Sequence, residues 1–214
     1  MPKVLANLLS NFRNTMIVSL ILALIMIIGF GMHSNGGFDI NFWQAVFRWV
    51  HVSFGILWIG LLYYFNFVQA RKMPEIPAEL KPAISKYILP EALFWFRWAA
   101  LFTVLAGLIL AWLRTQTISN YIWEVLSFGL YGGFDKTTDT GYTLMGVGVW
   151  LAIIMFLNVW GVIWPNQKIV LGIKEADAAA KAKAGVIAGQ ASRINTLLSL
   201  PMLTAMAMYQ TLFG

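Results

Sequence analysis

The sequence predicts an all-α polytopic membrane protein, with five transmembrane helices and one amphipathic helix on the membrane surface. Of its 214 residues, 59% are hydrophobic and only 11% are charged, whereas soluble domains carry about a quarter charged residues. The apolar residues form five stretches that are long enough to cross about 30 Å of hydrocarbon. Because a segment in lipid must pair its own backbone groups, and strand-like alternation is absent, we expect each stretch to be a helix.

The five predicted spans are 15–32, 42–70, 90–113, 142–164 and 192–213. The first lacks a small-residue cleavage site, so we expect an anchor and not a signal peptide. Pro90 suits the first position of its helix, and Pro165 is expected to end span four. Residues 118–130 predict the amphipathic surface helix. The whole chain, 1–214, is expected to form a single integral membrane helix-bundle domain.

The positive charges indicate the orientation of the bundle. Eleven lysines and arginines fall before span one, between spans two and three, and around the loop before span five. The opposite side has Arg114 and Lys136 together with four acidic residues. The positive-inside rule therefore predicts a cytoplasmic N-terminus and a C-terminus on the outer side of the membrane. The net charge of +6 reflects this topology. Nucleic acid is not an expected partner, because no basic stripe with interleaved aromatic residues is present.

Span two carries ionisable residues inside an apolar run. Arg48, His51 and Gly55 are three and four residues apart, so they share one face of the predicted helix. Such residues in a membrane face a partner, a cavity or a cofactor. The three residues predict a cofactor site with haem b bound through His51, because Gly55 leaves room for a flat ring and Arg48 can pair with a propionate or a quinone oxygen. The alternative is a histidine that is hydrogen-bonded to a neighbouring helix.

Two other polar residues within the spans are candidate contacts for substrate or lipid. Arg97, in FWFRWAA, is expected either to snorkel toward the interface or to bind an anionic ligand or lipid headgroup. Asn158 either contacts a ligand or joins two helices by hydrogen bonds, the common use of amides in lipid.

The tetrapeptide GGFD occurs at 36–39 and again at 132–135. It predicts two glycine turns. The alternative is a shared metal or docking site on the outer side.

Few residues of the chain could bind a metal ion or act as a nucleophile. The chain has no cysteine and two histidines, His33 and His51, so an all-protein transition-metal centre is not expected. The sequence does not identify the catalytic residues. His33 ends span one and is expected to lie in water at the interface. A bis-histidine haem in this chain would need both residues.

Several motifs together resemble the membrane domain of bacterial PuuD-type urate hydroxylases, the urate oxidase N-terminal family. They are GILWIGLLYYF after Trp49–His51, WFRW, IMFLNVWGVIWPNQK and ASRINTLLSLPML, which cover spans two to five. The residues that match the family pattern are His51, Asn158, Pro165, Gln167, Lys168 and Asn195. The resemblance implies a membrane domain associated with oxidising urate to 5-hydroxyisourate, with a C-terminal cytochrome c domain that takes the electrons. It also implies a bacterial inner membrane, so the C-terminus of this chain is expected in the periplasm.

The sequence departs from that family at three positions. The family has histidines where this chain has Gly146 and Ile194, and an acidic residue where it has Ala99. Since the sequence ends at Gly214, we expect no cytochrome c domain in this chain. These departures remove ligands and acid–base groups that the resemblance would otherwise imply.

The favoured function is an accessory or cofactor-bearing subunit of a larger membrane oxidoreductase, urate-hydroxylase-like and engaged in electron transfer. Its expected partners are membrane lipids, other integral membrane subunits and a separate cytochrome c. The enzymatic alternative is urate oxidation by this chain, with electrons passed to that cytochrome. A small transporter is less favoured, because the spans show no inverted repeat and no paired Gly/Pro interruptions.

Overall fold

The structure is a computed structural model that describes residues 3–131, 133 and 136–213. These residues form helices and no strand, which confirms the predicted all-α membrane fold. The helices of this part of the chain, α1 to α10, are Lys3–Leu9, Phe12–His33, Ile40–Tyr63, Ala70–Lys72, Lys81–Ala83, Leu89–Arg114, Tyr121–Leu126, Lys136–Asn158, Trp164–Val170 and Ala178–Leu212.

Three π-helical segments join some of these helices into longer rods. Tyr64–Gln69 continues α3 into α4, Ile84–Ile88 leads into α6, and Val159–Ile163 continues α8 into α9. The prediction that Pro165 ends span four is therefore wrong, because the helical path runs on to Val170. Pro165 is the second residue of α9, directly after the π-helical segment, so the helical path continues through a proline inside it.

Four helical segments among the described residues are long and apolar enough to cross a membrane: Phe12–His33, Ile40–Glu75, Lys81–Arg114 and Asp139–Val170. The predicted fifth span, 192–213, falls in the 35-residue helix α10, which is not among the four. The predicted count of five is not confirmed. The polar residues Ser192, Asn195 and Ser199 make this part of α10 less apolar than the other spans. The periplasmic position of the C-terminus stays a prediction.

The chain divides into two compact units, Met1–Val46 and Phe47–Gly214. The sequence-based expectation of one domain over 1–214 stays a prediction. In the first unit, the Asn11 side chain caps α2 by accepting a hydrogen bond from the Asn14 N–H.

The first GGFD is a turn in this unit. Gly37 has a left-handed φ of 59°, and Asp39 Oδ1 accepts a hydrogen bond from the Phe42 N–H at 2.9 Å, which starts α3. The second GGFD lies, apart from Gly133, outside the described residues.

The core of the second unit lies between the long helices. Its fully buried large side chains include Trp58, Phe96 and Met155, and α8 packs along α10. Hydrogen bonds from two asparagine side chains join these helices. Asn158 Nδ2 donates to Asn195 Oδ1 at 2.7 Å, and Asn195 Nδ2 donates to the Met155 carbonyl at 3.0 Å. These bonds are the helix-joining use of Asn158 that the sequence offered as one alternative.

The predicted surface helix 118–130 is shorter in the structure, where α7 covers Tyr121–Leu126. One side of α7 packs into a second core cluster, in which Tyr121 and Val125 contact side chains of α8 and α10. Trp123 on the other side is exposed. Gly146 permits this packing, because a Cβ at that position would collide with the Val125 carbonyl oxygen.

Candidate functional site

A cavity of about 610 Å³ lies within the second unit, between α3, α6, α7, α8 and α10. This volume falls in the range of about 300–1,000 Å³ that is typical of ligand sites. Its walls are mostly aliphatic. The side chains with polar groups that line it are Arg48, His51, Trp58, Tyr63, Thr103, Arg114, Tyr121 and Gln210. The cavity is therefore suited to a largely apolar ligand with a few polar or negatively charged groups.

His51 is held on the wall of this cavity by α6. Its Nδ1 lies 2.8 Å from the backbone carbonyl oxygen of Thr103. A carbonyl can only accept, so Nδ1 carries the proton and donates. In the neutral ring, Nε2 then keeps its lone pair. This is the usual arrangement of a metal-ligating histidine, whose other nitrogen donates to a carbonyl.

Gly107 makes room for the imidazole. A Cβ at residue 107 would lie 2.8 Å from His51 Nδ1 and 2.9 Å from Cε1, far inside van der Waals contact. Neither Thr103 nor Gly107 was predicted from the sequence to contact His51. They are four residues apart on one face of α6, but nothing in the sequence of that helix indicates that a histidine of α3 packs there.

Arg48, His51 and Gly55, which the sequence grouped by helical spacing, all line the cavity. Arg48 is exposed, so its charge lies at the rim. A Cβ on Gly55 would meet only Thr103 Cγ2, at 3.7 Å. Gly55 therefore faces the cavity, and the Thr103 side chain of α6 lies at ordinary van der Waals distance from it.

Arg114 is a cavity residue that the sequence analysis assigned only to topology. Its guanidinium carbon lies 4.8 Å from the ring centre of Tyr121 and 5.9 Å from that of Tyr209. Its Nε is buried and has no hydrogen-bond partner among the described residues. Trp58 lines the same cavity, and its buried Nε1 also has no hydrogen-bond partner among the described residues. Because these two nitrogens have almost no accessible surface, they are unpaired donors of the interior and not groups that a ligand in the cavity would touch.

Tyr121 closes the cavity beside Arg114. Burial, with a smaller contribution from Tyr209, raises the pKa of Tyr121 above its usual range. The Tyr121 side chain is consequently uncharged at physiological pH. Its ring stacks against the Arg114 guanidinium and does not neutralise that charge.

Arg97 and Asn158 are not among the cavity residues. Both amide hydrogens of Asn158 are used, by the Ala191 carbonyl at 2.8 Å and by Asn195 Oδ1. Arg97 stacks on Trp164, with its guanidinium carbon 3.9 Å from the ring centre.

This cavity is also not lined by the three positions that are expected to differ from the family pattern. Ala99 is buried in the main core, Gly146 lies against α7, and Ile194 is exposed.

Metal-ligating side chains do not cluster in the described residues: no group of three or more His, Cys, Asp or Glu side chains could hold an ion there. His33, in the first unit, bonds through Nδ1 to the Gly29 carbonyl at 2.7 Å and is exposed.

The fold is a polytopic membrane helix bundle that encloses a largely apolar cavity. Residues 116–213 match the family model described as urate oxidase N-terminal, so the predicted resemblance to this family is confirmed over that part of the chain. Comparison with curated proteins and with solved structures gave no match. The family match includes Tyr121, Asn158 and Gln210. Arg48, His51 and Arg114 precede it.

Proposed function

We propose that this urate-hydroxylase-like membrane protein is a cofactor-bearing subunit of a larger membrane oxidoreductase, and that the cofactor is haem b in the cavity at His51. One observation supports the proposal above the others. An imidazole whose Nδ1 is tied to a backbone carbonyl lines an apolar cavity of about 610 Å³ in a membrane bundle. A histidine that only joined helices would not need the cavity that Gly55 faces.

The residues of the cavity fit the chemical groups of a haem. His51 Nε2 would hold the haem iron, and the Thr103 carbonyl would fix the tautomer and orientation of the imidazole. Arg48 at the rim and Arg114 beside Tyr121 would pair with the propionates. The aliphatic walls would keep water from the ring, which raises the strength of each charge interaction. The bound group would supply one-electron transfer. This chain would supply the ligand, the two countercharges and the dry surroundings.

Partners follow from this role, since an electron carrier needs a donor and an acceptor. We propose other integral membrane subunits and a separate cytochrome c as these partners, in a bacterial inner membrane. The family match to a urate oxidase domain supports the cytochrome, because the resemblance implies that electrons leave to a cytochrome c.

The two histidines of the chain allow a matched test. Wild type, His51→Ala and His33→Ala would be purified gently from their native membrane, and visible spectra of oxidised and reduced protein would be recorded. We expect a Soret band in wild type and His33→Ala, and its loss in His51→Ala with an unchanged size-exclusion profile. A colourless wild type, or a band that persists in His51→Ala, would refute the haem assignment. Mass spectrometry of the chains that co-purify would identify the partners.

The second candidate is urate oxidation by this chain, which the family match favours. Urate and water would give 5-hydroxyisourate, two protons and two electrons, and two ferric cytochrome c molecules would each take one electron. Arg48 and Arg114 would attract the urate anion. The purified protein would be mixed with urate and ferricytochrome c. Urate consumption matched by reduction of two cytochromes per urate would support this candidate, and absence of consumption would end it.

A further inference from the structure

Arg97 is fixed at a place that is separate from the large cavity. Its guanidinium carbon lies 3.9 Å from the ring centre of Trp164 and 5.3 Å from that of Phe94. Arginine stacks in this way because its planar, weakly hydrated cation is attracted to the face of an aromatic ring. The N–H groups at the edge of the guanidinium stay available, since stacking uses only its face.

A second cation is held on the same indole. Lys168 of α9 has its Nζ 6.0 Å from the ring centre of Trp164. Helix α6 supplies Arg97 and helix α9 supplies both Trp164 and Lys168, so packing of the two helices gathers two positive charges around one ring. Neither cation forms an ion pair, since Lys72–Glu75 is the salt bridge found in the described part of the chain.

The acidic residue closest in sequence to Arg97 is already engaged. Glu91 Oε1 accepts a hydrogen bond from Trp95 Nε1 at 2.8 Å. Neither cation therefore has a carboxylate within salt-bridge distance in the described part of the chain. Both remain free to attract a negatively charged partner that accepts hydrogen bonds.

The surroundings indicate where this anion comes from. Phe94, Trp95 and Trp98 flank Arg97 on α6 and are exposed. Aromatic side chains of this kind mark the level of lipid headgroups. The predicted topology places this end of the bundle, with most of the lysines and arginines, at the cytoplasmic leaflet, where anionic lipids concentrate.

We infer that Arg97, Lys168 and Trp164 form a binding site for the phosphodiester of an anionic phospholipid. The guanidinium donates two N–H groups to the phosphate oxygens, and Lys168 adds a point charge. The exposed aromatic rings of α6 lie beside the acyl chains. The site does not depend on the proposed redox function, because none of its residues lines the large cavity.

The test is native mass spectrometry of the full chain in neutral detergent, titrated with phosphatidylglycerol and, in parallel, with phosphatidylcholine. A basic residue beside an anionic lipid headgroup contributes about fivefold to binding, and in detergent only a residue that contacts the bound lipid should do so. We expect Arg97→Gln and Lys168→Gln each to lose about fivefold, and the double variant roughly 25-fold. Lys86→Gln is the matched control, since Lys86 also lies near one aromatic ring, 5.6 Å from that of Tyr87, but without a second cation on it. It should change binding less than about twofold.

Two further measurements keep the inference open to refutation. Arg97→Lys retains the charge but not the planar fork, so it should bind the lipid with intermediate affinity while preserving the fold. Competition with glycerol phosphate separates a lipid from a soluble anion. Displacement of the lipid by millimolar glycerol phosphate would assign the site to a soluble anion, and equal binding by all variants would show that Arg97 only snorkels. Either result would overturn the lipid site.

Discussion

Gly107→Ala tests directly how His51 is held. The added methyl would lie 2.8 Å from Nδ1 and 2.9 Å from Cε1 of the imidazole, whereas carbon contacts are comfortable at about 3.5 Å. The ring must therefore move by roughly 0.7 Å. Such a shift away from α6 would lengthen the 2.8 Å bond from Nδ1 to the Thr103 carbonyl to the limit of hydrogen bonding.

The consequence should appear in ligand binding and in the tautomer of the ring. Loss of a bond that orients a metal-ligating histidine weakens metal binding about 10–100-fold, so we expect a decrease of that size in haem affinity. Unfolding should become easier by about 1 kcal/mol. Haem titration measures the first effect and thermal unfolding in detergent measures the second. Nitrogen NMR of the imidazole, which needs no haem, should find the proton on Nδ1 in wild type.

Gly29→Ala is the control, because a Cβ at Gly29 of α2 meets nothing within 4 Å. It should leave haem affinity unchanged and be neutral or slightly stabilising, since alanine favours a helix over glycine by about 1 kcal/mol at most. Unchanged haem affinity in Gly107→Ala, or a proton found on Nε2 in wild type, would refute the reasoning about His51.

Two further substitutions test the packing around the site. Asn195→Leu removes both amide hydrogen bonds of a fully buried side chain and should cost about 1–2 kcal/mol in unfolding free energy. Asn166→Leu, at an exposed amide bonded only within its own helix, should cost far less, and equal costs would contradict a helix-joining role. Tyr121→Phe tests the pH dependence, because burial raises the pKa of Tyr121 in the folded state. An unfolded tyrosine loses its proton near pH 10, so the stability due to this hydroxyl is complete below that pH and is lost as the pH rises further. The variant should lose less stability than wild type at alkaline pH in pH-dependent unfolding, while Tyr131→Phe, at an exposed ring, should behave like wild type.

The helical fold could be predicted from the sequence because it depends on composition and local period. The grouping of Arg48, His51 and Gly55 was predictable for the same reason, since spacings of three and four fix a shared face in any helix. The count of spans was less certain, because α10 has the length of a membrane helix but buries Asn195 and Ser199 among its neighbours. A sequence shows how polar such a helix is, and only packing shows that its polar face is covered.

The other half of the cavity could not be predicted, because it depends on the register between helices. Thr103 and Gly107 act on a histidine that precedes them by 52 residues or more. Arg114 resembles any cation at the end of a span until Tyr121 and Tyr209 are found stacked beside it. The close packing of α7 on α8 depends on Gly146, whose missing Cβ leaves space for the Val125 carbonyl. Each of these relations joins two segments, and a single sequence carries no signal for them.

Only part of the cavity is formed by the segment that matches the family model. The match therefore bears only on the chemistry of that part. The match begins at residue 116 and includes the aromatic end of the cavity at Tyr121. The imidazole of His51 and the cations Arg48 and Arg114 all precede it. A relative that shared only the matched segment would retain the packing surface for α7 and lose every charged or ligating group of the cavity. The redox function proposed for this protein therefore depends on residues 48–114, and the comparison of His51→Ala with His33→Ala tests that segment directly.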